Sequence, residues 1–555
     1  MITQYDVVIL GGGLAGLTLG IQLKRESHDI SVLVLERNSY PFPEAAFKVG
    51  ESTVEVGGQY LVRLLGEEHF EKKHIRKAGP RFFFPAGDNS DITCRVEYGT
   101  SSFLPIHTYQ VDRGRLENEL WAENQQIGVE VLSECKVEYV MLDREQHQIT
   151  FMRDREKTVV SARWIVDASG RAGLLKKKLG LARPADHEPN AVWFRIDEPL
   201  DITDFSDNAM WRTMLPPGHR YKATNHLMGP GYWVWFIPLS SGSTSVGIVA
   251  HPAFHPLQRF TTFERTLEWL REYEPQCAQF IEARRDKLQD FNYIKHYAHG
   301  CERVFSSERW CLTGEAGVFI DPFLSPGTDF IGLANSMITT IIRKDLRGEE
   351  DFVQYVEFSN QLYLNLFQLL LRWFSALYPL MGNHQVMVLW VGWYFLLYMS
   401  IPVTLFFHRR LWDMQFMASI QGEIGRFQEL SLRGIGLLQA WGQRYQQPWS
   451  NQFADIMKLD HIIELQRELV MGKELTDEEV REKVSRNLGL LEATLVEYFD
   501  RITKLLSIHP GRDDINPYAV SLDPSRWEAE GLFTGSKSYK IAEVSKNIAG
   551  VWYVN

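Results

Sequence analysis

Cysteine is scarce: five in 555 residues, at positions 94, 135, 277, 301 and 311, widely spaced and with no Cys-x-x-Cys pair. An odd, scattered set of that kind builds neither a disulfide framework nor a zinc site, so no metal is expected and the setting reads as reducing. Basic residues are in deficit. With 59 Lys and Arg against 70 Asp and Glu, the formal net charge is −11, which offers no basic face to nucleic acid. There is no internal repeat, low-complexity tract or long linker, which predicts one enzyme-sized body built of units that share a core. The first apolar run begins at Tyr5 and reaches a glycine loop at Gly11. That leaves no room for a secretory leader and predicts a cytoplasmic protein.

Only one long apolar run is present. Val386 to Phe407 is uncharged and mostly apolar, and His408-Arg409-Arg410 follows it. If helical it is long enough to cross a bilayer. Against a span stand Pro402 inside it, Asn383 and His384 before it, and the consequence that a single crossing would put the two flanks of an enzyme on opposite sides. The run reads as a buried or pocket-lining helix pair. The alternative is peripheral membrane contact, through which a greasy substrate enters.

What is there begins with a dinucleotide fingerprint. Tyr5-Asp-Val-Val-Ile-Leu10 is a β-branched strand buried on both faces, Leu14 to Lys24 continues at helical spacing, and Ser31-Val-Leu-Val-Leu35 ends at Glu36-Arg37. In the turn Gly11-Gly-Gly13-Leu14-Ala15-Gly16, Gly11 permits the bend, Gly13 lets backbone meet a pyrophosphate and Gly16 lets helix pack on strand. Glu36 stands where a ribose hydroxyl would donate. Two later strands also run into small-residue turns, at Trp164-Ile-Val-Asp167-Ala-Ser-Gly170 and Trp310-Cys-Leu-Thr-Gly314-Glu315-Ala316. They resemble the later elements of a flavin-binding fold of the para-hydroxybenzoate hydroxylase type, with Glu315 in the Asp place of its Gly-Asp motif. Gln110-Val-Asp-Arg113 resembles the helix start near the flavin in such proteins, which assigns Arg113 to the FAD edge; a solvated arginine is the other reading.

The fold class expected is therefore α/β: a Rossmann-like FAD-binding βαβ domain over residues 1–345, interleaved with an antiparallel substrate sheet at about 80–110 and 185–300, then an all-α region over 346–555. The sheet is read from Ile92 to Tyr98, Trp233 to Pro238 and Ser245 to Val249. A capping box at Thr476-Asp-Glu-Glu479 starts a helix through Leu506.

Three further motifs narrow the function. Gly50-Glu51-Ser52-Thr53 is followed by Lys77-Ala-Gly79-Pro-Arg-Phe82 and by Trp233-Val-Trp235-Phe-Ile-Pro238. Together with the glycine loop they resemble the flavin-dependent halogenases, in a divergent branch outside the tryptophan type. The resemblance implies that reduced FAD, oxygen and chloride or bromide yield hypohalous acid. That oxidant is relayed to Lys77, while Trp233 and Trp235 keep substrate off the flavin. It also places Ser52, Gly314, Gly327 and Thr328 around FAD, and the backbone at Pro326 and Gly327 at the halide. From the residues alone, Lys77 could equally belong to a solvated basic face with Lys72, Lys73, Arg76 and Arg81, and the two indoles to a packed core.

Departures from the family matter. Pro326 has no N–H to offer a halide. Leu324 stands where the tryptophan type has an acid, and Glu55 where the family has proline. These favour a phenolic, aliphatic or carrier-tethered hydrophobic substrate over an indole. They leave open a halogenase-like monooxygenase or dehydrogenase, and a flavin-binding partner protein without catalysis. No second dinucleotide fingerprint is present, so a separate flavin reductase is the expected electron source.

Overall fold

The computed structural model describes residues 3–44, 48–444 and 452–533. The end of the expected helical region, from 534 onward, lies outside them.

Two eight-stranded sheets organise the chain. In the first, strands Trp310–Leu312, Glu156–Asp167, Gln4–Leu10, Val32–Leu35 and Glu130–Leu132 lie side by side and parallel. Their register carries the function. Leu10 pairs with both Asp167 and Leu35, and Asp167 pairs with Leu312, so the turns that follow at Gly11, Glu36, Ala168 and Thr313 open along one edge. This carboxyl edge is where open α/β sheets bind ligands. A meander of Lys136–Met141, His147–Arg153 and Glu156–Asp167 extends the sheet.

The second sheet runs in the order Leu288–Ile294, Asn190–Ile196, Thr244–Ala250, Tyr232–Pro238, Thr224–Gly229, Pro80–Phe83, Glu97–Gly99, Phe453–Asp455. Alternation along Tyr232–Pro238 sorts its side chains. Trp233, Trp235 and Ile237 join the main core, whereas Tyr232, Val234 and Phe236 join a second core beneath the Phe263–Tyr273 and Pro275–Glu282 helices. Gly247 lies opposite Trp235, and a Cβ there would meet the indole at 2.1 Å.

Several expectations need correction. The sheet is mixed, since Pro80–Phe83 pairs parallel with Thr224–Gly229. The region after 346 is not all helix: Phe453–Asp455 crosses back to pair parallel with Glu97–Gly99, closing the sheet at that end. Ile92–Cys94 is a 3-10 turn, not the start of a strand, because Asp91 accepts the Thr93 N–H and bends the chain. In place of a helix pair, His384–Phe407 is one continuous path. The His384–Tyr398 helix widens into a π-turn at Met399–Val403, around Pro402, before Thr404–Phe407. It is the one described helix long and apolar enough to cross a membrane, and 94% of its most apolar window is buried in the protein. The capping box forms as read, with Thr476 and Glu479 bonding each other's backbone at the head of Asp477–Leu505.

Candidate functional site

The glycine loop is shaped from within. Gly11 has φ +118°, and a Cβ there would lie 2.4 Å from the Ala168 carbonyl; at Gly16 it would lie 2.0 Å from the Gly11 carbonyl. Gly13 differs, because nothing stands within 4 Å of a Cβ built on it. That open cradle caps the Leu14–Glu26 helix, whose first N–H groups at Ala15 and Gly16 have no intrahelical partner. Glu36 is buried and accepts from Gly12 N–H at 2.8 Å and from Asn38.

A cavity opens from this edge toward the second sheet. It brings together Leu14, Ser52, Arg113, Trp233, Trp235, Gly314, Glu315, Pro326, Gly327 and Thr328 from positions up to 314 apart in sequence. Arg113 is anchored by donating to the Val49 carbonyl at 2.7 Å and to Glu117 at 2.5 Å, and its Nε is a buried donor without a partner. The open space at Gly13, an acid at the second strand and an unspent guanidinium donor fit a flavin dinucleotide laid along the edge.

Of the expected cofactor contacts, Gly11, Gly13, Ala15, Gly16, Glu36, Arg37 and Asp167 do not line this cavity. Arg37 is exposed beyond the strand end. Asp167 is sealed, its carboxylate accepting the Ser169 N–H and hydroxyl and the Leu175 N–H, so it holds the turn that follows its strand.

The segment where a halide is expected is strained. Leu324 and Ser325 have φ +59° and +57°, a left-handed pair without glycine. Pro326 then caps the Gly327–Arg347 helix and brings no N–H. The free first-turn donors are shifted one residue on, to Gly327 and Thr328.

Lys77 is buried, whereas the side chains of Lys72 and Lys73 are 71% and 52% exposed. The basic cluster therefore divides. Arg81 is sealed against Glu97, Arg76 stacks on Phe103, and Lys77 turns inward. Its Nζ donates to Ser52 Oγ at 2.9 Å and to the Thr53 carbonyl at 3.0 Å. Burial lowers its pKa to about 8, against the upward pull of Glu55 and Asp329. Both carboxylates are raised by burial, Asp329 to about 7.

Lys77 lines neither of two nearby cavities but is linked to a residue of each, to Ser52 by a hydrogen bond and to Asp329 by charge. Ser52 lines the first cavity, while Asp329 lines a second, apolar one with Leu366, Leu370, Trp373, Tyr394 and Tyr398. Pro326 and Phe330 are common to both. Tyr398 donates to Asp329 at 2.6 Å and accepts the Val56 N–H at 3.1 Å.

Sequence reading missed several residues here. Glu55 accepts the Gln466 amide at 2.8 Å and leaves its second oxygen, buried, without a partner. His226 lines the first cavity, stacked on Phe82 with centroids 4.7 Å apart, and burial holds its pKa near 3. Asp321 lines it as well. Glu55 follows the Gly50-Glu51-Ser52-Thr53 turn and Asp321 precedes Leu324 closely in sequence, but nothing local marks the partners of either. Away from the cavity, His69 and His74 converge on one oxygen of Glu119 at 2.7 and 3.1 Å, and Lys73 lies 3.5 Å from the other; mutual pairing accounts for them.

Comparison with known proteins agrees with this geometry. Residues 95–370 match a family model described as tryptophan halogenase, and residues 9–111 one for an NAD(P)-binding Rossmann-like domain. A flavin-dependent halogenase of Dictyostelium discoideum, chlA, is 24% identical over 401 residues, 65% of this chain and 64% of that one, so the match spans just under two thirds of that relative. A 1H-pyrrole-2-carbonyl-[peptidyl-carrier protein] brominase of Pseudoalteromonas luteoviolacea is 25% identical over 393 residues, 69% of this chain and 88% of its own. Among solved structures, halogenase PltM in complex with phloroglucinol and FAD has a TM-score of 0.61 at 16% identity, covering 91% of this chain and 96% of that one.

Proposed function

This chain belongs to the flavin-dependent halogenase family, and we propose that it halogenates a hydrophobic small molecule, free or tethered to a carrier protein, with Lys77 as the residue that hands over the halogen. One observation carries the reading: Lys77 is buried, hydrogen-bonded to Ser52, which lines the flavin-side cavity, and under the charge of Asp329, which lines the apolar one.

FAD, when bound and reduced, supplies the electrons with which oxygen oxidises chloride or bromide to hypohalous acid. Gly13, Ala15 and Gly16 seat its pyrophosphate, Glu36 its ribose, and Arg113, Gly314 and Glu315 its flavin end. Gly327 and Thr328 offer the halide their N–H groups. Trp233 and Trp235, 5.6 Å apart, narrow the passage so that a small oxidant passes and a ring does not. Lys77 orients the hypohalous acid as ammonium, or as the free amine takes up the halogen; a pKa near 8 makes both forms accessible at neutral pH.

Electrons come from a separate flavin reductase. The protein acts in the cytoplasm, at most touching a membrane at its periphery. The missing N–H at Pro326 favours one other reading, a monooxygenase or dehydrogenase that works without halide. The deciding experiment supplies photoreduced enzyme with oxygen, an apolar phenol and either chloride or bromide. Product mass shifted by the halogen supplied supports halogenation, and oxygenated product indifferent to halide overturns it.

A further inference from the structure

Asp321 lines the flavin-side cavity, yet its bonds lead out of it. Its Oδ2 receives three donors: His187 Nε2 at 2.6 Å, the Tyr297 hydroxyl at 2.5 Å and the Tyr378 hydroxyl at 2.6 Å. Its Oδ1 accepts the Phe323 N–H at 2.8 Å. The two tyrosine hydroxyls are 3.1 Å apart. On the far side of the imidazole, His187 Nδ1 is 3.2 Å from Ser375 Oγ, which also meets the carbonyl of the exposed Asp186 at 2.9 Å. Asp321, His187, Tyr297 and Tyr378 are all buried, whereas Ser375 is partly exposed. An unbroken line of hydrogen-bonding groups thus joins the surface to the cavity wall.

Packing alone asks for less. A buried carboxylate needs donors, and one arginine or two backbone N–H groups would serve. Here three ionisable side chains from separate segments share a single oxygen. Burial acts to raise the Asp321 pKa, and His187 with the two tyrosines outweighs it, so the acid stays ionised and able to accept a proton. The titratable and charged groups around them include His251, which faces both His187 and Tyr378, Glu188, and Arg171, which donates to the Tyr297 carbonyl at 3.1 Å.

The geometry points to a proton route in which Ser375, His187 and Asp321, steadied by Tyr297 and Tyr378, deliver protons from solvent to the flavin-side cavity. The inference rests on the proposed function, because oxidising a halide there consumes a proton: FADH2 + O2 + X⁻ + H⁺ gives FAD + HOX + H2O. In each transfer one bond to hydrogen breaks as another forms. Ser375 Oγ passes a proton to His187 Nδ1, His187 releases the proton on Nε2 to Asp321 Oδ2, and Asp321 yields it to the cavity. Water gives Ser375 a proton as the serine passes its own on, so no alkoxide forms; a half-turn of the imidazole then exchanges its two nitrogens and restores an N–H toward Asp321, and no electron moves. Asp321 and His187 act by positioning and passing protons. Trp233, whose indole N–H donates to the Tyr378 hydroxyl at 3.4 Å, ties the route to the gate.

The test uses the full chain in two states. In the flavin-free protein, nitrogen-15 NMR of labelled histidine reads exchange of the His187 ring protons with water. Exchange within seconds is expected, and ring protons that persist for hours overturn the route without any variant having to fold. In the FAD-loaded, photoreduced protein mixed with oxygen and bromide, His187→Gln and His187→Gly are each expected to form product about 100-fold more slowly at unchanged FAD content. Added imidazole restores the rate in His187→Gly and not in His187→Gln, a rescue that lost packing alone does not give. Variants that match the parent, or a loss that imidazole leaves untouched, overturn the route. A parent that exchanges rapidly at His187 but makes no halogenated product strikes the halogenase reading instead, and leaves the route standing.

Discussion

At the scale of single residues, the proposed function puts the transfer step on Lys77 and its neighbours. Lys77→Ala should leave FAD content and flavin reoxidation near normal while halogenated product falls at least ~100-fold, as loss of one positioned acid–base group does. Lys77→Arg should not restore it, since a guanidinium stays protonated. If the amine is the working form, product formation climbs as pH rises through about 8 and levels off above. Glu55→Gln removes a carboxylate that pulls the Lys77 pKa up, so the midpoint should move to lower pH. Acylation of the Lys77 amine in the flavin-free protein, followed by mass spectrometry across pH, reads that midpoint directly; an unmoved or raised midpoint contradicts the pairing. Lys77 and Ser52 could be read from sequence because each lies in a short motif. Glu55 could not be placed, because the amide that fixes it belongs to Gln466, 411 positions away. His226 gave no signal at all. Held neutral with a folded pKa near 3, below the ordinary ~6.5, it refuses a proton that the unfolded chain accepts as pH drops below ~6.5. Its presence therefore costs stability progressively between ~6.5 and 3. His226→Leu should gain on the parent as pH falls from 7.5 to 5, measured as the difference between their denaturation midpoints.

At the scale of elements, the glycine loop separates two roles that one motif suggests. Gly16→Ala puts a Cβ 2.0 Å from the Gly11 carbonyl and should destabilise the fold by the upper part of the ~1–3 kcal/mol typical of overpacking. At Gly13 a Cβ meets no protein atom within 4 Å, so Gly13→Val starts from open space. It should fold normally and lose FAD, so a circular dichroism melt beside a flavin absorbance spectrum tells the two apart. Undiminished flavin in Gly13→Val would remove the cradle from the cofactor site. Likewise Pro326→Thr adds one N–H to the turn ahead of the Gly327–Arg347 helix and should tighten halide binding by about 1 kcal/mol, roughly fivefold, in a bromide titration of flavin fluorescence. This strand–loop–helix unit was legible because its geometry is local. The Phe453–Asp455 strand was not: three residues carry no period, and its partner Glu97–Gly99 is more than 350 positions earlier.

At the scale of the whole molecule, the apolar run at 386–407 shows why composition did not decide location. The same residues satisfy a membrane and a core, and only tertiary contacts choose between them. Here Tyr394 and Pro402 from that run line the apolar cavity. The protein should consequently be released from membranes by a carbonate wash without detergent; retention in the pellet would return the segment to the bilayer. The link from Lys77 to a residue of each cavity has a further consequence, for how such a catalyst can be altered. On the proposed function, oxidant is made beside the sheet edge and its loops and spent among the helices after 352, whose residues line the apolar cavity. Target preference can therefore drift, in natural lineages or in a directed-evolution campaign, by redrawing Leu366, Leu370, Trp373 and Tyr394 while the machinery that generates the reagent is inherited unchanged.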